Sequence, residues 1–455
     1  MNEPVMSPAA ATLPPSRDDG IPILHNFRQF RQEPLDFWVE TGRLAPLVQV
    51  RFGPSRTLWV VTDPDMIQEI LQTRARQYPR SRELRGADEM GVGQTVFNAP
   101  TWDAWLWRRR LLQPAFHRQQ LAQFAEAMVD ETVQFMSDWQ IGEIVPLKSA
   151  MKTLTMRIIG RTMFSAPLQD TTELQHHFEQ VSEYSYYRTA SMIQWPEWLP
   201  LPIHRRTRAA VQRRHEMVQQ IVAERLESGQ PRDDLLDMLI TANLDDGTKF
   251  SPDNIVHEMI SIIFAGHETT AMTMTWVFHL LSRYPEVKAR VLAEIRNALG
   301  DRLPALADLD AMPYTEWVIL ETLRLYPAVY ATLREAEEED ELGGYHVPAG
   351  TEFLINIRGM HRDPQHWPEP DAFRPERFSP EESEGRHKGA YLPFLLGPKK
   401  CIGDAFAMME MRLLVPTILQ RWALEPAGPP PAEIPGFVME PGGHVDMRLT
   451  PPPAL

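Results

Sequence analysis

The chain has one cysteine, Cys401, and it lies in the run Phe394-Leu-Leu-Gly-Pro-Lys-Lys-Cys401-Ile-Gly403. Gly397, Pro398 and Gly403 shape a loop that delivers the sulfur to the start of a helix. Backbone N–H groups at a helix N-terminus stabilise an anionic thiolate and lower its pKa. Lys399 and Lys400 add positive charge beside it. Gly403 lets another group approach the backbone closely. Two readings stand at this point: a thiolate set up to bind or attack something, or a small buried apolar residue.

Other pairs have spacings that matter. Trp105 and Arg109 are four residues apart, so a helix puts them on one face. An indole N–H only donates, and so does a guanidinium, so the pair suits a carboxylate. Core packing explains Trp105 equally well. Glu321 and Arg324 stand one helical turn apart, and burying them there would be costly unless the charges are fully paired. In Ala265-Gly266-His267-Glu268-Thr269-Thr270 a glycine and two threonines are poor choices for a helix interior. They predict local loosening there.

The elements that must hold these residues follow from periodicity. Leu47 to Phe52 and Thr57 to Thr62 read as a hairpin around Gly53-Pro54-Ser55. From Arg118 to Leu299 apolar residues recur at helical spacing. Within this stretch Ile255 to Leu281 could cross a bilayer by length, but His257, Glu258, His267, Glu268 and His279 interrupt it, which predicts a buried helix instead. Pro285 marks the first turn of the next helix. A helix over Thr315 to Tyr326 stops at Pro327. Residues 343 to 357 read as strands around the Pro348-Ala349-Gly350 turn, Asp404 to Arg421 as a helix, and Val445 to Leu449 as a short strand. The acidic run Glu335 to Glu341 reads as a solvated turn. The fold class expected is mainly α with a small β-sheet region, in a single large domain.

Composition narrows the function. Of 455 residues 43% are apolar, enough for a large core, and the formal charge is −15. So acidic a chain is a poor nucleic-acid binder. One cysteine excludes an internal disulfide and any Cys-rich zinc or iron–sulfur framework, and it fits a reducing, cytoplasmic setting. The first twenty residues hold four prolines and no apolar run, so no secretory signal is expected in them and they read as a mobile lead-in over residues 1–20.

Phe-x-x-Gly-x-x-x-Cys-x-Gly at Phe394 to Gly403 resembles the haem-binding loop of the cytochrome P-450 family. Ala265 to Thr270 resembles the oxygen-activating segment of that family's long helix, and Glu321-Thr-Leu-Arg324 its Glu-x-x-Arg motif. His361 to Phe378 resembles the stretch before the haem loop, and Trp105-x-x-x-Arg109 the propionate-binding helix. All five occur in the family's order. Two positions depart from it: Leu395 stands where Gly or Ser is usual, and Lys399 where Arg or His is usual.

The resemblance implies a cytochrome P-450 domain over residues 21–455 that binds haem b, with Cys401 as axial thiolate and metal ligand. Phe394, Gly397 and Gly403 would frame the sulfur. Trp105, Arg109, Arg334 and Lys399 would meet the propionates, with Ala265 and Gly266 against the haem. Glu268 and Thr269 would be the catalytic acid and alcohol that deliver protons, with His267 structural. Arg377 would join Glu321 and Arg324 in a structural triad. The expected reaction inserts one oxygen atom from O2 into a hydrophobic small molecule such as a terpenoid, steroid or fatty acid. Peroxide-driven chemistry, or a haem sensor without turnover, are the other readings, and the acid–alcohol pair argues against both. Wall residues would include Leu84, Val92, Val96, Phe97, Phe264, Val329 and Tyr330, with Gly86, Gly91 and Gly93 making a mobile loop. No flavin- or nicotinamide-binding segment follows Cys401 and no transmembrane anchor is expected, so electrons would come from a separate ferredoxin or flavodoxin. Arg108, Arg109, Arg110, Arg118, Lys399 and Lys400 would form its basic docking patch.

Overall fold

The structure is a computed structural model and describes residues 13–17, 22–52, 56–82, 93–166, 171–190, 195–196, 198–242 and 250–452. The turn at 53–55 and the expected wall and loop residues Leu84, Gly86, Gly91 and Val92 lie outside that set. The chain divides into two compact units. One is Met1–Leu84, Ala331–Pro370 and Arg386–Lys400; the other is Arg85–Tyr330, Asp371–Gly385 and Cys401–Leu455.

The first unit is built on a four-stranded sheet. Its order is Leu47–Phe52, Arg56–Val61, Glu352–Ile355, Thr332–Glu335. The first pair is antiparallel, with Val48 opposite Val60, so the expected hairpin is present. Leu58 to Val61 are all buried, as a central strand requires, and they run parallel to Glu352–Ile355. The turn at Pro348 forms, but the strands on either side of it do not pair with each other. Tyr345–Val347 pairs with Asp340–Leu342, while Glu352–Ile355 joins the main sheet. The acidic run is likewise not a free turn. Glu335 is buried and paired to Arg82 at 3.0 Å, and Asp340 meets Arg74 and Tyr78. Within the lead-in, Ser16 bridges to Gln49, and the buried Arg17 donates to Phe37 O at 2.9 Å.

The second unit is helical. Its longest helix, Pro252–Arg283, starts where Ser251 Oγ accepts from the Asn254 N–H at 3.2 Å and Pro252 fills the first turn. It stops before Pro285, which opens the helix Pro285–Leu299. Apolar residues surround most of its 32 positions, so it is buried on nearly all sides. It packs against Leu147–Met163, where a Cβ on Gly266 would come 2.4 Å from Ile159 Cδ1 and Thr155 Oγ1 donates to His267 O at 2.9 Å. Among the described residues no helix is long and apolar enough to cross a membrane. The helices Pro313–Leu325 and Asp404–Leu419 and the strand Asp446–Thr450 lie within a residue or two of their expected bounds.

Candidate functional site

The central helix carries the expected acid and alcohol on different sides. Phe264, Gly266 and Thr269 are half-buried and Ala265 is exposed, in a helix whose flanking turns are buried. That strip is the helix's one open face near its middle. The predicted loosening is absent: the helix runs unbroken through 265–270. The Thr269 hydroxyl donates back to Ala265 O at 2.8 Å, and Thr273 does the same to Thr269 O at 3.0 Å. Back-bonding satisfies the hydroxyls without opening the helix. Gly266 lets the end of the Ile159 side chain pack close to the helix, and a larger residue there would push that side chain aside.

Glu268 faces the other way, into the protein. Its Oε1 lies 3.5 Å from Lys152 Nζ, and both side chains are buried. Lys152 also donates to the half-exposed Glu179, at 2.7 Å. Glu268 Oε2 accepts no hydrogen bond among the described residues. Burial pushes the Glu268 carboxyl up to about 7. Lys152 opposes that rise, and Glu440 and Glu179 reinforce it. A carboxyl with that pKa changes protonation state near neutral pH, and Lys152 is the charged group beside it. His267 is structural, as expected. It is buried, its Nδ1–H donates to Ile263 O at 2.8 Å, and burial lowers its pKa to about 4.

Cys401 is exposed, two residues before Gly403, the N-cap of the helix Asp404–Leu419. In the same unit Arg109 is half-buried on the helix Trp102–Leu112, one turn beyond the buried Trp105. Burial lowers the Arg109 pKa, while the negative charges of Cys401 and Asp404 act against that. A Cβ on Gly403 would meet only Phe116, at 3.8 Å, so the polypeptide itself does not demand glycine there.

The rest of the loop belongs to the other unit. His361 Nε2 accepts the Leu392 N–H at 2.8 Å and Trp367 donates to Ala390 O at 3.2 Å, which fixes the approach to the loop. Phe394 and Lys399 are half-buried. Gly397 has φ 70°, and a Cβ on it would sit 2.0 Å from Leu71 O, so only glycine fits. Leu395 has φ 61°, in the left-handed region that glycine tolerates best. The structural triad forms. Arg324 binds Glu321 through two bonds of 2.8 Å, and Arg377 Nε donates to Glu321 Oε1 at 3.3 Å, all three buried.

Arg334 gives the sharpest test of whether the residues present suit an anionic macrocycle. It is 2% exposed, on the strand Thr332–Glu335. Its guanidinium donates to Thr332 Oγ1 and Leu333 O, both neutral, and it has no carboxylate partner among the described residues. Burial and the neighbouring Arg80 lower its pKa to about 9. A buried cation without an anion is costly, and a haem propionate would supply the anion. Within the helical unit, an exposed thiol, a half-buried guanidinium at Arg109 and an open strip at Ala265 are the kinds of group such a macrocycle needs.

One expected cation is not available for docking. Arg108 turns inward, and its Nε lies 3.0 Å from the buried Glu258 Oε1. Arg110, Arg118 and Lys400 are exposed. Of the expected wall residues, Phe97 and Phe264 both pack on Phe437, with ring centroids 6.2 and 5.4 Å apart, and Phe178 stacks on Phe264 at 5.8 Å. Tyr330 donates from its hydroxyl to Gly436 O at 3.2 Å, which ties down the segment bearing Phe437. Phe437 was not foreseen, because a lone phenylalanine in a Pro- and Gly-rich tail has no periodicity to betray it.

Residues 14–445 match the sequence model of the family described as Cytochrome P450. The chain is 34% identical over 442 residues to cyclooctat-9-en-7-ol 5-monooxygenase of Streptomyces melanosporofaciens, with 92% of this chain and 93% of that protein covered. It is 29% identical to pentalenene oxygenase of Streptomyces avermitilis, with 88% and 89% covered. The crystal structure of the cytochrome P450DA heme domain shares the fold, with a TM-score of 0.86 at 23% identity over 97% of this chain and 98% of that one.

Proposed function

The chain belongs to the cytochrome P450 family and is a monooxygenase with a haem b cofactor bound through cysteine thiolate, and from that premise we propose that it hydroxylates a terpenoid, drawing electrons from a separate ferredoxin or flavodoxin. The observation that carries the substrate class is the aromatic wall of Phe97, Phe264 and Phe437 beside the open strip at Ala265 and Thr269. Such a wall offers a hydrocarbon large apolar faces and few hydrogen-bonding groups. The two Streptomyces relatives, named for cyclooctat-9-en-7-ol and pentalenene, support a terpenoid over a steroid or fatty acid.

Haem, when bound, supplies the iron at which O2 is activated and one oxygen atom is passed to a C–H bond. The chain's residues do the rest. Cys401, the sole cysteine, is the thiolate ligand. Phe394 shields the sulfur, and Gly397 and Gly403 leave the loop room to pass. Trp105, Arg109, Arg334 and Lys399 would hold the two propionates, Lys399 as a point charge rather than a planar fork. Ala265 keeps the central helix thin on the open side, and Gly266 lets the helix sit close to Ile159 behind it; both would lie against the haem. Thr269 turns its hydroxyl from Ala265 O toward that side, and Glu268 takes protons from solvent by way of Lys152. The exposed Arg110, Arg118 and Lys400 attract an acidic electron donor. Residues 21–455 form the catalytic domain, preceded by a lead-in over 1–20. The acidic, one-cysteine composition supports a cytoplasmic setting.

Two measurements test this. The reduced protein under carbon monoxide should give the red-shifted Soret band of thiolate ligation, and Cys401→Ser should lose it. A histidine-type band in folded protein would sink the assignment. Supplied with a surrogate ferredoxin and its reductase, the enzyme should convert cyclooctat-9-en-7-ol or a related terpenoid to a hydroxylated product. Oxidation of fatty acids alone would overturn the substrate class.

A further inference from the structure

A buried carboxylate on the central helix has no part in the chemistry above. Glu258 is fully buried, nearly three turns before Glu268. Its two oxygens face two different elements. Oε2 accepts the Val96 N–H at 3.1 Å, and Oε1 lies 3.0 Å from Arg108 Nε on the helix Trp102–Leu112. Burial raises its pKa to about 7, against the opposing pull of Val96 and Arg108. A position that costs the charged form so much needs a reason.

The reason lies in the segment Gly93 to Asn98. That segment is closed on itself by side chains. Asn98 donates to Gly93 O at 2.6 Å and accepts the Thr95 N–H at 2.8 Å, and the Phe97 N–H reaches Thr95 Oγ1 at 3.2 Å. It is joined to the central helix at one helix face. Val96 N–H meets Glu258, Thr95 Oγ1 donates to Ser261 Oγ at 3.4 Å, and Gly93 (φ 60°) lies so close to His257 that a Cβ would come 2.2 Å from Nδ1. His257, Glu258, Ser261, Phe264 and Ala265 share one helix face by their spacing. The contact that positions the segment is thus one to two turns from the open strip, and the segment's own Phe97 completes the wall against Phe437.

We propose that Glu258 is a positioning residue for substrate selection: with Arg108 it straps the Gly93–Asn98 segment to the central helix and so holds Phe97 in the aromatic wall. This rests on the reading of the Ala265 strip as the substrate side of a haem monooxygenase. The carboxylate does not touch substrate. It sets how rigid the wall is, and therefore how well a bulky ligand is distinguished from a small one.

The test uses the full-length protein and the variants E258Q, R108M and the double variant, each checked for native circular dichroism. Hydrogen–deuterium exchange of peptides covering 93–98 reads the strap without any ligand. It should speed up about tenfold in each single variant, since the Val96 hydrogen bond to a charged acceptor is worth roughly one to two powers of ten and Arg108 is the ion partner that favours that charge. The double variant should be little worse than either single one, because both lesions cut the same strap. On the haem-loaded enzyme, affinity for phenylimidazole should fall about tenfold while affinity for imidazole, too small to reach the wall, stays the same. Unchanged exchange in folded variants overturns the proposal. So does faster exchange with an unchanged ratio of the two affinities. If wild-type protein shows no imidazole shift at all, haem at Cys401 is what fails, and the exchange data still decide the strap.

Discussion

Lys152 Nζ stands 3.5 Å from Glu268 Oε1, and the two residues lie on different helices with both side chains buried. The pair is lopsided. Burial raises the Glu268 pKa to about 7 despite the lysine, so the carboxyl is part protonated at neutral pH, while Lys152 stays charged through Glu268, Glu440 and Glu179. A proton donor of this kind works only in its acid form. Turnover limited by proton delivery should therefore fall as pH rises through about 7. Glu268→Gln should slow it about a hundredfold and abolish that pH dependence. Lys152→Met removes the group that lowers the Glu268 pKa, so the profile should move to higher pH. Stopped-flow turnover across pH 6 to 9, with peroxide release measured alongside, checks both variants.

The same raised pKa values make a stability statement with a definite sign. For Glu258 and Glu268 the folded protein holds the proton more tightly than the unfolded chain does. Their contribution to stability is full below an ordinary carboxylate pKa of about 4.3 and is lost as pH rises through about 7. Glutamine cannot ionise, so E258Q and E268Q escape that loss. Relative to wild type, their Tm should rise between pH 5 and pH 8 by about 2 °C or more. A difference in Tm that is flat across this range would refute the sign.

Two residues of the cysteine loop predict opposite outcomes from single changes at left-handed backbone. Leu395 has φ 61°, where a side chain costs about 1–2 kcal/mol. Leu395→Gly should relieve that, less about 0.5–1 kcal/mol of added chain entropy. The net is a small gain in melting temperature. At Gly397 (φ 70°), alanine would also drive its Cβ to 2.0 Å from Leu71 O. Gly397→Ala should displace the loop and lose haem on gel filtration, with the Soret-to-protein absorbance ratio as the measure.

Which features were legible in the sequence depended on distance along the chain. Glu321 with Arg324 and Trp105 with Arg109 are local patterns, and each pair lies on one helix as its spacing predicts. Arg377 was reached only through the family resemblance. Partners more than a hundred residues apart left no local trace. Lys152 with Glu268, Arg108 with Glu258, and Phe437 with Phe97 each join elements whose meeting is decided by packing. Arg108 illustrates the cost, since the run Arg108-Arg109-Arg110 looks like one exposed cationic stripe, yet a helix turns its first member toward a buried carboxylate. The threonines at 269 and 270 erred the other way. Their low helix propensity predicted loosening, yet the helix is unbroken there and the Thr269 hydroxyl bonds back to Ala265 O.

Arg334 yields a prediction whose sign depends on the cofactor. Its buried guanidinium has neutral acceptors and a pKa lowered to about 9, which marks a cation the folded polypeptide alone stabilises poorly. Replacing it with leucine should therefore stabilise the haem-free protein, by about 1–3 kcal/mol if the cost resembles that of other imperfectly paired buried polar groups. With haem present the balance reverses. The propionate then has a charge-assisted partner to lose, and a site that gains an apolar side chain in its place holds a carboxylate less well. Haem transfer to apomyoglobin should run about ten to a hundred times faster from Arg334→Leu than from wild type. Denaturant titration of the two haem-free proteins gives the first sign, and the transfer rate gives the second. A variant destabilised in both states would mean that Arg334 serves the sheet alone, and the propionate assignment would have to fall on Trp105, Arg109 and Lys399.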